Sequence, residues 1–327
     1  MIDVTFDRNR LDALRSGATI VLNASAALRV SGPGALECLQ GVFTNDVVGH
    51  GGDHLIYGAF LTPKGMIITD CWVMRFASEA ILILPARSAD GMLALFQRTF
   101  PPRLAHVTDL RTRWSVAWLY GTAVEQVLQR AALGTVPAHP GATTTWESAA
   151  GSLRMARGTV QAPFEALLVG ETATVEAARK HMVTVGAQLG TMDDSHAARI
   201  LAGWPALGNE IGERTLPQEV RFDDLKGVSH TKGCYTGQET VARIHFRGHT
   251  NKEIRGLRWH GSDPLATQTI TQNGKDVGLA HSTLRLHDRT LALAMLSRAV
   301  VAGSTVNIED REAAVVPLPF SVIDIEE

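Results

Sequence analysis

A chain of 327 residues, 45% hydrophobic and 20% charged, has the balance of an ordinary globular protein and is long enough for two or three modules. Its 31 basic and 33 acidic residues leave a formal charge of −2, so no global attraction to nucleic acid or to an anionic membrane is expected. Met1 to Arg15 mixes acids with arginines and lacks an apolar segment, no stretch reaches the length of a membrane span, and the cytoplasm is the expected compartment.

In chain order, residues 27–30 read as a short strand running into Ser31-Gly32-Pro33-Gly34, after which Leu36, Leu39 and Phe43 keep helical spacing. Cys38 falls off that stripe. Asn45-Asp46 reads as a polar turn. An apolar run over 56–61, a turn at Thr62-Pro63-Lys64-Gly65 and a strand over 66–76 form a hairpin. Alternation along the second strand puts Met66, Ile68, Asp70, Trp72, Met74 and Phe76 on one face, apolar except for the carboxylate. Such an acid must find a partner, face a cavity or take up a proton, because an unpaired buried carboxylate is costly. A backbone N–H nearby is the plain way to satisfy it.

A third strand over 81–84 leads to a helix over 89–100 stopped by Pro101-Pro102, a strand over Trp114–Tyr120 and a helix over 123–133 ended by Gly134. A Pro/Gly/Thr-rich loop over 136–145 precedes strands near 153–157 and 164–169 and a helix over 174–185. This mixture predicts an α+β fold with antiparallel sheets rather than a doubly wound one. No GxxxxGK[ST] or GxGxxG follows any of these strands, so nucleotide binding is not expected. Residues 193–201 read as a helix capped by Asp193 or Asp194.

The stretch Lys232-Gly233-Cys234-Tyr235-Thr236-Gly237-Gln238-Glu239 surrounds one thiol with features that favour the thiolate. Thr236 and Glu239 have the spacing of a capping box ahead of Val241, Ala242 and Ile244, so a helix is expected to start just past Cys234. Its unpaired N–H groups, its dipole and the Lys232 cation all favour an anion. Gly233 and Gly237 leave room for close approach, and Tyr235 offers an aromatic face or a hydroxyl. The plain alternative is a tight loop with a small cysteine as filler. Cys38, Cys71 and Cys234 are scattered, which suggests neither a disulfide framework nor a zinc ribbon nor a permanently held cluster.

Beyond the motif, Arg243, Arg247, Lys252, Arg255 and Arg258 with His245, His249 and His260 face a single nearby acid, Glu253. This basic patch suits an anionic ligand tail, a stretch of nucleic acid or a solvated linker. His245 and His249 stand at i,i+4 without the Glu of HExxH, and no metal site is expected. From residue 254 onward the pattern turns to five or six short strands with an Asn273-Gly274 hairpin turn, which predicts a small antiparallel barrel. The boundary is expected between regions 1–246 and 247–327.

The string KGCYTGQE, continued by Thr240-Val241-Ala242-Arg243, resembles the signature of the YgfZ family. Its members are folate-binding proteins related to the aminomethyltransferase (T-protein) of the glycine cleavage system and linked to iron–sulfur protein maturation. The segment 39–47 is similar to the opening of the superfamily's folate-binding module, which makes Asn45 a candidate ligand. Asp70 matches the strand position of the catalytic aspartate of aminomethyltransferases, although Thr69-Asp70-Cys71 stands where paired aspartates are common. Arg199-Ile200, the run to Gly208-Asn209-Glu210, and Pro217-Gln218-Glu219 also resemble the family. They imply that Arg199 and Glu219 bind folate, Glu219 accepting two N–H bonds from the pterin edge beside Asp70.

The resemblance therefore implies T-protein-like folate-binding modules over 1–246, a C-terminal barrel over 247–327 and tetrahydrofolate as cofactor. Tyr235 and Gln238 become further binding residues, and Cys234, Lys232 and Asp70 the reacting groups. Three functions fit. The first is a tetrahydrofolate-binding protein that assists assembly or repair of iron–sulfur proteins through Cys234, touching assembly or client proteins transiently. The second is an aminomethyltransferase that moves a one-carbon unit onto tetrahydrofolate. The third is a non-catalytic folate-dependent scaffold. Membrane and nucleic-acid partners are not expected.

Overall fold

A computed structural model describes residues 1–22, 24–49, 51–148 and 151–326. Among them, two sheets lie face to face and a third is closed into a barrel. The first has the order His54–Leu61, Ile67–Arg75, Glu79–Pro85, Ser25–Ser31, His106–Asp109, every pair antiparallel. The second has the order Gln188–Leu189, Thr19–Leu22, Trp114–Tyr120, Ala166–Glu171, Gly151–Arg157, Thr143–Ser148, antiparallel except for its first pair. The last strand begins inside the stretch expected as a loop.

Alternation along these strands explains the layering. Leu28, Ile56, Phe60, Val73 and Leu82 point to one side of the first sheet and pack with Leu36 and Leu39 of the helix Ala35–Gln40 and with Met92 and Phe96 of the helix Ala89–Thr99. Their neighbours Leu55, Tyr57, Trp72, Met74 and Ile83 point the other way and meet Val116, Trp118, Leu167 and Val169 of the second sheet. The far side of that sheet, with Ala117, Leu119 and Leu168, is covered by Val124–Arg130 and Thr172–Thr184. Period-2 burial thus produces helix, sheet, sheet, helix, with the largest shared core between the sheets. The α+β architecture with antiparallel sheets expected from the sequence is the one observed.

Six strands of the C-terminal region close into a barrel: Lys275–Arg285, Thr269–Gln272, Thr305–Ile308, Arg311–Val316, Lys252–His260 and Arg289–Ser297, which pairs back to the first. Asn273 and Gly274, at φ 53° and 74°, make the expected hairpin turn. A seventh strand is added from the far end of the chain, Ile2–Thr5, which runs parallel to Lys275–Arg285. No helix among the described residues is long and apolar enough to cross a membrane.

Three local expectations are corrected. The hairpin strand carries a bulge, Phe60 pairing with Thr69 but Leu61 with Ile67, so parity flips. Ile67 enters the central core and Ile68 stands 37% exposed, off the face it was expected to share with Asp70. The helix Met192–Leu201 is capped by Thr191, with Asp194 completing the capping box from its third position. The helix Gln238–Arg247 is capped by Gly237 without a side-chain bond, not by a Thr236–Glu239 box.

Gly237 holds φ 84°, and a Cβ there would stand 2.6 Å from the Thr62 carbonyl oxygen of the hairpin turn. Around Gly233 a Cβ would meet nothing within 4 Å. Gly237→Ala is therefore expected to lower stability by about 1–3 kcal/mol, whereas Gly233→Ala stays within about 0.5 kcal/mol. Urea unfolding of the two variants measures this, and equal effects would contradict the assigned roles.

Candidate functional site

Between the two sheets and the loop that follows Met192–Leu201 lies a cavity of about 410 Å³, within the roughly 300–1,000 Å³ of small-molecule sites. Aromatic rings build its wall: Trp72 stacks on Trp204 at 5.3 Å and 17°, and Phe164 meets Trp72 and Trp118 edge-on at 5.0 and 4.5 Å. Asp70 enters this wall from the strand Ile67–Arg75. The Tyr57 hydroxyl donates to its Oδ2 at 3.3 Å, while its buried Oδ1 has no partner. Burial pushes the Asp70 carboxyl up to about 6, opposed by hydrogen bonds and by the charges of Arg87 and Arg199.

Arg199 reaches the same cavity from Met192–Leu201 but is already engaged. Its Nη1 donates to Glu210 Oε2 at 3.1 Å and its Nη2 to Ser282 Oγ at 2.7 Å, and Ser282 in turn donates to Glu210 Oε1. The buried pair is thus satisfied by a hydroxyl from the barrel, as a buried ion pair requires. Arg199 Nε donates to His196 Nδ1 at 3.4 Å, and burial first, then the Arg199 charge, holds the His196 pKa down. Arg87 also lines the cavity and forms no ion pair among the described residues.

The thiol motif lies elsewhere. The Lys232 ammonium, expected to act on Cys234, is directed into the carbonyl oxygens of Gln40, Phe43 and Asn45 at 2.7, 2.6 and 3.0 Å, and burial pushes its pKa down to about 8. It stands 4.9 Å from the centroid of the Tyr235 ring. Gln238 Oε1 accepts the Tyr235 N–H at 3.1 Å, which turns the chain tightly and leaves Cys234 exposed. Asn45 Nδ2 donates to the carbonyls of Tyr57 and Lys226. Asn45, Lys232, Tyr235 and Gln238 therefore form one cluster, and Asp70 and Arg199 another. Tyr57 joins them, its carbonyl on Asn45 and its hydroxyl on Asp70.

Glu219 is not brought to Asp70. Its Oε2 accepts the Leu216 N–H at 3.0 Å and lies 3.8 Å from Lys252 Nζ, in a separate cleft of about 320 Å³, and burial raises its pKa. Sequence reasoning missed Tyr57, Arg87, Trp118 and His196, which the fold gathers from four different segments. Arg87 carries a local signal, a charge placed just past the apolar strand Glu79–Pro85.

A family model for the GCVT N-terminal domain matches residues 10–157. The chain is 26% identical to the tRNA-modifying protein YgfZ of Sodalis glossinidius over 318 residues, 93% of each chain. It is 32% identical to the proteins of that name from Serratia proteamaculans, over 50% of this chain and 52% of the relative, and Yersinia pestis, over 39% and 42%. In those two, the chain aligns with about half or less of the relative's length. In structure it resembles the glycine cleavage system aminomethyltransferase T of Bartonella henselae, with TM-score 0.82 and 18% identity over 96% of this chain and 89% of that one.

The three thiols differ in exposure: Cys234 is exposed, Cys38 half-buried, Cys71 buried. Burial pushes the pKa of Cys71 well up and that of Cys38 up, the latter helped by Glu37. Single-cysteine variants treated with iodoacetamide at pH 7.5 are expected to react in the order Cys234, Cys38, Cys71, with Cys234 at least tenfold ahead of Cys71. A Cys71 that reacts as fast as Cys234 would contradict this.

Proposed function

Because the chain is a YgfZ-type, GcvT-like protein, we propose that it binds tetrahydrofolate in the aromatic cavity and assists the assembly or repair of iron–sulfur proteins through Cys234. One observation carries the folate reading: the unpartnered Oδ1 of Asp70, buried in a wall of tryptophan rings. The pyrimidine ring of a reduced pterin is flat, offers N–H donors along an edge and stacks on aromatic faces, so it satisfies both at once. Arg87 supplies a cation for the glutamate carboxylates, Arg199 being held by Glu210. Bound folate would contribute a ring nitrogen able to carry a one-carbon unit. Asp70 accepts a ligand N–H, Tyr57 fixes its carboxylate, and the tryptophans keep water from that bond.

The exposed Cys234 supports the second half of the proposal, since a lone accessible thiol suits a transient bond to iron, sulfur or a partner's cysteine. Its loop is turned to solvent while the folate cavity lies behind Tyr57, so the two act on different partners. A second reading comes from the relatives' name, tRNA-modifying protein. Arg243, Phe246, Arg247 and His249 are exposed on and just beyond the helix that follows the thiol, with Phe246 67% exposed, a basic and aromatic surface of the kind that holds RNA.

Ionised Asp70 favours the ligand, so tetrahydrofolate affinity, followed by calorimetry, is expected to fall as pH drops through about 6. Asp70→Asn weakens binding about tenfold and flattens that dependence. Because its folded pKa is raised, Asp70 stabilises least when ionised. Without ligand, Asp70→Asn is expected to be more stable than wild type by up to about 2 kcal/mol at pH 8, a gain lost below pH 4. Absence of saturable binding to wild type refutes the folate reading.

In cells lacking the protein, Cys234→Ser is expected to fold and bind folate yet leave iron–sulfur enzyme activities unrestored, whereas Cys38→Ser and Cys71→Ser restore them. Full rescue by Cys234→Ser would remove the thiol from the function. Under the second reading, Arg243→Glu with Arg247→Glu abolishes binding of tRNA to the purified protein.

A further inference from the structure

Outside the cavity and the thiol loop, three potential metal ligands converge: Asp223 from the turn after Pro217–Val220, His230 from the segment ahead of the motif, and His245 from the helix Gln238–Arg247. His230 Nε2 lies 2.9 Å from Asp223 Oδ1, and His245 Nδ1 lies 3.4 Å from Asp223 Oδ2. One donor atom from each side chain falls within 4.8 Å of the other two. The imidazole rings stack with centroids 3.6 Å apart and 16° between planes.

We propose that Asp223, His230 and His245 form a site for a divalent first-row transition ion such as Zn²⁺ or Co²⁺. Two imidazole nitrogens and one carboxylate oxygen are donors that such ions prefer over Mg²⁺ or Ca²⁺. Bonds of about 2.0–2.2 Å place neighbouring ligands of a tetrahedral ion about 3.3 Å apart, and the observed nitrogen–oxygen separations, 2.9 Å to Oδ1 and 3.4 Å to Oδ2 of Asp223, lie near that spacing, each on its own carboxylate oxygen. The side chains of Asp223, His230 and His245 are 37%, 19% and 35% exposed. That exposure gives an ion a way in and leaves a fourth position for water.

To share one ion, the His245 ring turns out of the stack, which its place on the exposed side of the helix permits. The partners differ from the His245–His249 pair that spacing suggests. His230 precedes Cys234 in the chain and His245 follows it, so a bound ion would fasten both ends of the thiol loop. The proposal needs neither folate nor any reaction of the thiol.

The test uses the full chain, freed of metal by dialysis against a chelator and titrated at pH 7.5 with Co²⁺, read by its visible absorption, and with Zn²⁺ by calorimetry. One ion per chain is expected. His230→Ala and His245→Gln are expected to weaken binding at least tenfold, with His249→Ala and Cys234→Ser unchanged. Saturating Zn²⁺ should raise the melting temperature of wild type but not of the two variants. If His230→Ala does not fold, His245→Gln decides. Absence of saturable binding, binding that survives His245→Gln, or binding lost with Cys234→Ser overturns the proposal and leaves the three side chains as a hydrogen-bonded cluster.

Discussion

Withdrawing the Lys232 ammonium from water is the constraint on which the thiol region is built. A buried cation needs acceptors in place of its hydration shell. Here they are three carbonyls at and just beyond the end of Ala35–Gln40, among them the Gln40 carbonyl that a helix end leaves without an intrahelical partner. One side chain therefore satisfies acceptors nearly two hundred residues earlier in the chain. Desolvation is not fully offset, as the pKa near 8 records. Between that value and lysine's ordinary one the unfolded chain binds the proton more tightly, so this group adds stability as pH rises through that window.

Around that anchor the backbones of two distant segments are joined. Thr236 N–H donates to the Gly41 carbonyl, Ser229 N–H to Thr44, and the Thr44 hydroxyl to Gly227. Asn45 then reaches the Tyr57 carbonyl, and the Tyr57 hydroxyl reaches Asp70. The solvent-facing thiol and the enclosed carboxylate are thus connected by direct contacts, with the Tyr57 ring packed on Trp72, Trp204 and Phe222.

What the sequence made legible was whatever one segment determines. The strand Trp114–Tyr120, the Asn273-Gly274 turn and the six short strands of the barrel follow from alternation and turn chemistry. Asp70 stood out because a carboxylate on an apolar strand demands a reason. Features set by two segments were not legible. The bulge at Ile68 depends on pairing with Phe60 and Leu61, and strict alternation misplaced Ile67 and Ile68. Lys232 is close to Cys234 in sequence, yet stronger acceptors lay across the fold. Glu219 caps its own turn instead of reaching the cavity. Asp223, His230 and His245 share no spacing rule, because only the docking of a helix on a loop brings them together.

The parallel pairing of Ile2–Thr5 with Lys275–Arg285 has a consequence for how the protein is made. The first strand leaves the ribosome with its partner still some 270 residues from being translated. At about 5–20 residues per second that wait is roughly a quarter of a minute to a minute. During it an unpaired strand edge with the apolar Val4 is available to any other open edge. The N-terminal strand therefore docks among the last events of folding, which ties the order of assembly to the completion of the barrel.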